Sequence, residues 1–168
     1  MGYTTDFSGS FNLDKPLTEP HKNYLLKFSE TRRMRWDSKK TELIKDPIRK
    51  AVGLPVGLQG EYFVGARGYY GQGPDRAVDD FNRPPKSQPG LWCQWAPTET
   101  GYGIKWNGTE KFYEYDKWLA YLIEHFLEPW GYMLNGEVKW FGEDPDDVGL
   151  LVVEDNMVSV KHGKIVYE

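Results

Sequence analysis

Cysteine is nearly absent: Cys93 is the one residue of its kind in 168. That excludes an internal disulfide and any zinc cage built from cysteines. The three histidines, His21, His125 and His162, include no pair at helical i, i+4 spacing, so a zinc-binding helix is also excluded. No apolar run approaches the roughly 18 residues a membrane-spanning helix requires. The opening Met1-Gly2-Tyr3-Thr4-Thr5-Asp6 lacks the basic-then-apolar layout of a secretory leader. We therefore expect a cytoplasmic protein without a membrane partner. Arginine is missing from the whole chain after Arg83.

Aromatic residues are plentiful, at 26 of 168, which excludes global disorder. A chain of this length buries roughly 70% of its unfolded surface and needs no covalent staples. It is expected to form a single domain over 1–168. The net charge of −4 conceals an asymmetry. Residues 1–90 hold 15 Lys and Arg against 11 Asp and Glu, whereas 91–168 hold 6 Lys against 14 acids. Two readings follow: faces with different partners, or halves that neutralise each other across one fold.

Residues 1–46 predict a strand and a helix. Tyr3, Thr5, Phe7, Phe11 and Leu13 share one parity, and polar residues take the other, as in a half-buried strand. Gly9 marks a bulge or a close contact within it. Thr18 is a candidate N-cap, and Tyr24, Leu25 and Phe28 have helical spacing. Arg32, Arg33 and Arg35 would then sit at the favourable C-terminal end of the helix dipole. Residues 47–90 predict a long irregular excursion, because 14 of these 44 residues are Gly or Pro. One short strand is expected at Glu61–Val64.

Residues 91–168 predict a hairpin, a helix and a meander. Leu91–Ala96 and Tyr102–Trp106 form the hairpin. Phe112, Tyr115, Trp118, Leu119, Leu122, Ile123 and Phe126 outline a broad apolar helix face, with Thr109 as its N-cap. Asn135-Gly136 is a strong hairpin-turn dipeptide. Val138–Phe141, Gly149–Val153, Met157–Val160 and Ile165–Tyr167 complete an antiparallel meander. The class is thus α+β: a mainly antiparallel sheet, two principal helices on one face, and the Gly/Pro-rich central segment across an edge or the other face.

Several segments, taken together, carry a resemblance. They are Gly2-Tyr3-Thr4-Thr5-Asp6-Phe7, Lys27-Phe28-Ser29-Glu30-Thr31-Arg32-Arg33-Met34 and Asn82-Arg83-Pro84-Pro85. With them go Gln88-Pro89-Gly90-Leu91-Trp92-Cys93-Gln94-Trp95, Leu122-Ile123-Glu124-His125-Phe126 and Pro129-Trp130-Gly131-Tyr132-Met133-Leu134-Asn135-Gly136-Glu137-Val138. The chain resembles, over nearly its whole length, a family of small bacterial and bacteriophage proteins with no assigned activity. The resemblance implies a bacterial or viral setting and a mode of action through a host factor. It implies no catalytic residue and no cofactor.

Gly65-Ala66-Arg67-Gly68-Tyr69-Tyr70-Gly71-Gln72-Gly73 is the most suggestive stretch. Its glycines permit close backbone approach, while Arg67, Tyr69 and Tyr70 can bind phosphate or stack on bases. It lacks the Gly-Lys-Ser/Thr ending of a phosphate loop and the following helix of a dinucleotide fingerprint. Asp144-Pro145-Asp146-Asp147-Val148-Gly149 has part of the spacing of a calcium loop. Val148 occupies a ligand position and strands are expected to flank it, so it reads as a solvated acidic turn. Cys93 reads as a small buried hydrophobe and His125 as a packed or surface residue. Six tryptophans crowd the second half. Strand alternation puts Trp92 and Trp95 on opposite faces, so if helices cover one face, tryptophan on the other is either covered by the central segment or exposed as binding surface.

No nucleophile–base pair or metal constellation can be assembled from these spacings. The chain accordingly reads as a non-enzymatic binding protein acting on a host or bacterial protein, for example by inhibiting a defence factor or neutralising a toxin. The expected contact residues are Arg67, Tyr69, Tyr70, Arg83 and Trp92, with no metal and no cofactor. A small-ligand or nucleic-acid module using loop 65–73 is the alternative, and a small enzyme a further one.

Overall fold

The computed structural model describes residues 2–66 and 75–168. Within it the chain forms two compact units, Met1–Leu17 with Gln94–Glu168, and Thr18–Cys93. The class is α+β, and its main sheet is antiparallel.

The first unit holds that sheet. Its strands are β1 (Asp6–Ser8), β2 (Phe11–Leu13), β5 (Trp95–Pro97), β6 (Gly103–Trp106), β7 (Leu134–Phe141), β8 (Val148–Glu154) and β9 (Met157–His162). The order is β5-β6-β2-β7-β8-β9, with β1 also paired to β7. The N-terminal alternation behaves as the sequence predicts: Thr5, Phe11 and Leu13 are buried, while Asp6, Ser8 and Asn12 are exposed. The expected single strand, however, is broken in two. Gly9 has φ +109, and a Cβ there would lie 3.0 Å from the Glu137 carbonyl oxygen. Both halves keep one register against β7, Phe7 opposite Trp140 and Phe11 opposite Gly136.

That register corrects the Asn135-Gly136 expectation. These residues lie inside β7, not at a turn. Gly136 has φ +138, and a Cβ on it would come within 3.2 Å of the Phe11 Cα. Glycine is there for close strand approach. A tight two-residue turn forms at Asp155-Asn156, where the sequence predicts one, with φ values of 45° and 67°, joining β8 to β9. The fourth expected meander strand does not form, and Ile165, Val166 and Tyr167 are exposed.

The helix α4 spans Tyr115–Leu122 and starts later than predicted. Thr109 does not cap it. Glu114 occupies the cap position in a left-handed conformation and makes no side-chain cap bond. A π-helical turn at Ile123–Leu127 then widens the helix. The wide turn is closed by Glu128 donating its N–H to the Ile123 carbonyl at 2.9 Å. An extra residue per turn lets Phe126 and Leu127, adjacent in sequence, both be fully buried. Phe112, Trp118, Leu119, Leu122 and Ile123 are buried as their spacing predicts, and α4 packs against β5 and β9.

The second unit contains α1 (Glu19–Glu30), β3 (Arg35–Trp36), α2 (Ser38–Thr41), α3 (Pro47–Ala51) and β4 (Val78–Asp80), with a short 3₁₀ turn at Leu58–Gly60. Thr18 caps α1 as expected, its hydroxyl accepting from the His21 N–H at 3.4 Å. Tyr24, Leu25 and Phe28 form its buried face. No strand forms at Glu61–Val64; instead β4 pairs with β3. Met34, Trp36, Phe63 and Ala77 make a compact core cluster, with the Trp36 and Phe63 rings 4.6 Å apart.

Candidate binding surface

The stem that enters loop 65–73 is held by side chains rather than by a ladder. The Glu61 carbonyl accepts from Arg33 Nη2 at 3.3 Å and from Gln88 Nε2 at 2.6 Å. The Tyr62 carbonyl accepts from the Tyr24 hydroxyl at 2.8 Å, and the Phe63 carbonyl from Arg33 Nη2 at 2.6 Å. The Gly65 N–H donates to Asp46 Oδ1 at 2.9 Å. Asp46 is in turn paired with Arg49, whose Nε lies 2.6 Å from Oδ2. Arg49 also donates to the Leu54 carbonyl. Asp46 and Arg49 are both buried, so this pair is strongly coupled to the local fold.

The far stem is fixed as well. The Asp37 N–H donates to the Ala77 carbonyl at 2.8 Å, and Ala77 donates to Asp75 Oδ1 at 2.9 Å. Segments this well tied at both ends are the kind of support on which binding loops are carried.

Arg33 was expected at the end of a helix dipole. It is instead wholly buried, with its guanidinium 4.3 Å from the Phe28 ring centroid. Its neighbours Arg32 and Arg35 also serve the fold. Arg32 Nε donates to the Phe81 carbonyl at 3.0 Å, and Arg35 Nε to the Pro84 carbonyl at 2.7 Å. Burial lowers the Arg32 pKa from its ordinary value, which leaves it cationic at neutral pH.

The structure brings two of the predicted contact residues to one short stretch of chain. The Arg35 N–H donates to the Arg83 carbonyl at 3.0 Å, and the Arg33 N–H to the Leu91 carbonyl at 2.8 Å. Arg83 and Trp92 are thus tied, directly or one residue away, to positions two residues apart. The Arg83 side chain is exposed and lies 3.6 Å from Asp80. Trp92 is half-buried, and all seven tryptophans are buried or half-buried, so of the two alternatives exposure is not the one realised. Arg67, Tyr69 and Tyr70 lie outside the described residues.

Two residues missed by the sequence reading stand out. Leu43 is 86% exposed and Leu58 is 80% exposed. Leu43 follows α2, Leu58 begins the 3₁₀ turn, and these two elements pack together. Exposed Lys39 and Lys40 flank Leu43 in sequence. No periodicity marks either leucine, because both sit in elements shorter than a helical repeat. The unit 18–93 carries 14 Lys and Arg against 9 acids, net +5, while the rest of the chain is net −9.

In the first unit, the acidic turn is more than a solvated link. Asp147 accepts from the Tyr3 hydroxyl at 2.7 Å and from Trp140 Nε1 at 2.9 Å. The Asp144 N–H bonded to the Tyr3 oxygen pulls that phenol's pKa down. Its bond to Asp147, burial and the nearby carboxylates together raise it. Burial, and then the Asp147 charge, pushes the Tyr115 phenol up to about 12. Among the described residues no group of three or more His, Cys, Asp or Glu is placed to hold a metal ion. His125 is half-buried and stacks on Tyr121 with ring centroids 4.1 Å apart, and Cys93 is buried in the second unit. A cavity of about 280 Å³ opens between the ends of β2, β7 and β9, lined by Asp14, Glu128, Tyr132, Met133 and Met157. No helix among the described residues is long and apolar enough to cross a membrane. No family model, curated protein or solved structure matches the chain.

Proposed function

We propose that this is a non-enzymatic binding protein of a bacterial or bacteriophage cytoplasm that acts by gripping another protein through the unit 18–93. The observation that carries the reading is the anchoring of the loop stem. Side chains from four separate places, Tyr24, Arg33, Asp46 and Gln88, converge on the backbone of 61–65. That much buried polar bonding at the base of a Gly/Arg/Tyr loop supports a presentation role for the loop. Leu43 and Leu58 supply exposed apolar anchors in the same unit, and Arg83 a planar donor. Arginine, tyrosine and apolar anchors within a basic rim suit an acidic protein surface. The biological effect of such binding would be inhibition of a host or defence factor, or neutralisation of a toxin.

Nucleic acid is the second reading, and the net charge of +5 favours it. Exposed leucines favour the first, because a phosphate backbone gives them nothing to bury against. Affinity capture from bacterial lysate, with and without nuclease, separates the two. A protein partner is retained after nuclease treatment. A nucleic-acid partner is lost, and its affinity falls steeply with added salt.

A further inference from the structure

We infer that the outer edge of β9 is a pairing surface for a second copy of this chain, joining two sheets antiparallel about a twofold axis. β9 is the last strand of the sheet, paired to β8 along its whole length from Met157 opposite Glu154 to His162 opposite Gly149. The Gly163 N–H donates to the Val148 carbonyl at 2.8 Å, which continues the same register. Antiparallel ladders alternate, so Met157, Ser159 and Lys161 bond inward to β8. The N–H and C=O groups of Val158, Val160 and His162 then point outward from the sheet.

Exposed edges in natural proteins are usually blunted by proline, by bulges, by shortness or by charged side chains, lysine above all. β9 has six residues, an unbroken register and no proline, and its one lysine, Lys161, sits near the end of the strand. It also leaves Met157 73% and Val160 38% exposed. Such an edge is a template for another strand.

Charge selects the occupant. Glu154 and Asp155 precede the strand, Lys161 is its last residue but one, and Lys164 lies just beyond. All four side chains are exposed. A second β9 running antiparallel sets its basic end beside the acidic turn of the first, and the reverse contact follows by symmetry. A twofold centred on Ser159 puts Val158 opposite Val160 of the second copy on the face that α4 covers. Lys161 then faces Met157, and no two lysines are opposed.

Sedimentation equilibrium of the full chain across the micromolar range tests this. The expected species has twice the 19.5 kDa monomer mass. Val160→Pro removes an outward N–H without breaking a bond to β8, so it should give a monomer that stays folded. Lys161→Glu with Lys164→Glu changes only exposed side chains and should raise the dimer dissociation constant about tenfold. Adding Glu154→Lys to that chain re-establishes opposite charges across the axis and should restore most of the loss. A wild-type monomer at every concentration overturns the inference. So does a dimer that neither Val160→Pro nor the charge variants weaken.

Discussion

Replacing Asp147 with alanine should destabilise the protein by about 2–4 kcal/mol. The magnitude follows from two bonds to one carboxylate. Trp140 is 1% exposed, and its Nε1 donates to Asp147 Oδ1 at 2.9 Å. Stranding that donor costs about 1–3 kcal/mol, because little water reaches it. The Tyr3 hydroxyl also loses a 2.7 Å bond to a charged acceptor, a further loss that solvent reduces. The Trp140 ring is fixed against Tyr115 at 5.8 Å and His162 at 5.5 Å. Gly142 is so close that a Cβ on it would run into the Asp147 carboxylate and the Tyr3 hydroxyl.

The assay is urea unfolding followed by tryptophan fluorescence and far-UV circular dichroism, with the two transitions compared for coincidence. Tyr3→Phe should be less destabilising than Asp147→Ala, and the Tyr3→Phe, Asp147→Ala cycle should be non-additive. The control is Asp144→Asn with Asp146→Asn. Both side chains are exposed, and the pair should shift stability by no more than ~0.5 kcal/mol. An Asp147→Ala protein within ~0.5 kcal/mol of the parent would refute the reasoning. The turn would then be the plain solvated link that its composition suggests.

Three further outcomes are expected. Leu122→Ala, at a position 1% exposed, should cost ~2–5 kcal/mol in the same denaturation assay. Asp46→Ala should cost ~3–5 kcal/mol, because it strands the buried Arg49 and the Gly65 N–H, and it should weaken partner binding by loosening the loop stem. Tyr115 keeps its proton in the folded state up to about pH 12, whereas an unfolded tyrosine loses it near pH 10. Unfolding is therefore favoured as pH rises through that window, and thermal melts should show a smaller alkaline loss in Tyr115→Phe than in the parent.

How much of this was legible in the sequence depended on range. Alternation in residues 3–13 and the 3.6-residue spacing of Phe112–Phe126 report burial directly: Thr5, Phe11, Leu13, Phe112, Trp118, Leu119, Leu122, Ile123 and Phe126 are buried, and Tyr3, Phe7 and Tyr115 half-buried. Thr18 was legible because a cap acts within one turn. Asn135-Gly136 misled because its glycine answers to Phe11, more than a hundred residues away, and not to a turn. The arginine run 32–35 reads locally as surface charge. Its role lies in carbonyls 28 to 49 residues distant, at Glu61, Phe63, Phe81 and Pro84. The proposed binding surface rests on residue type for Arg83 and Trp92, whereas the stem anchors Asp46 and Gln88 are visible only in the fold, since isolated polar residues carry no spacing signal.

The central claim is that the 65–73 loop, on its anchored stem, grips the partner. The direct measurement is calorimetric titration of the captured partner into the parent protein and into Arg67→Ala with Tyr69→Ala, alongside thermal melts of both. The account predicts binding weaker by more than ~2 kcal/mol with the melting temperature unchanged. Equal affinity with a lower melting temperature would contradict it and make the loop a structural element.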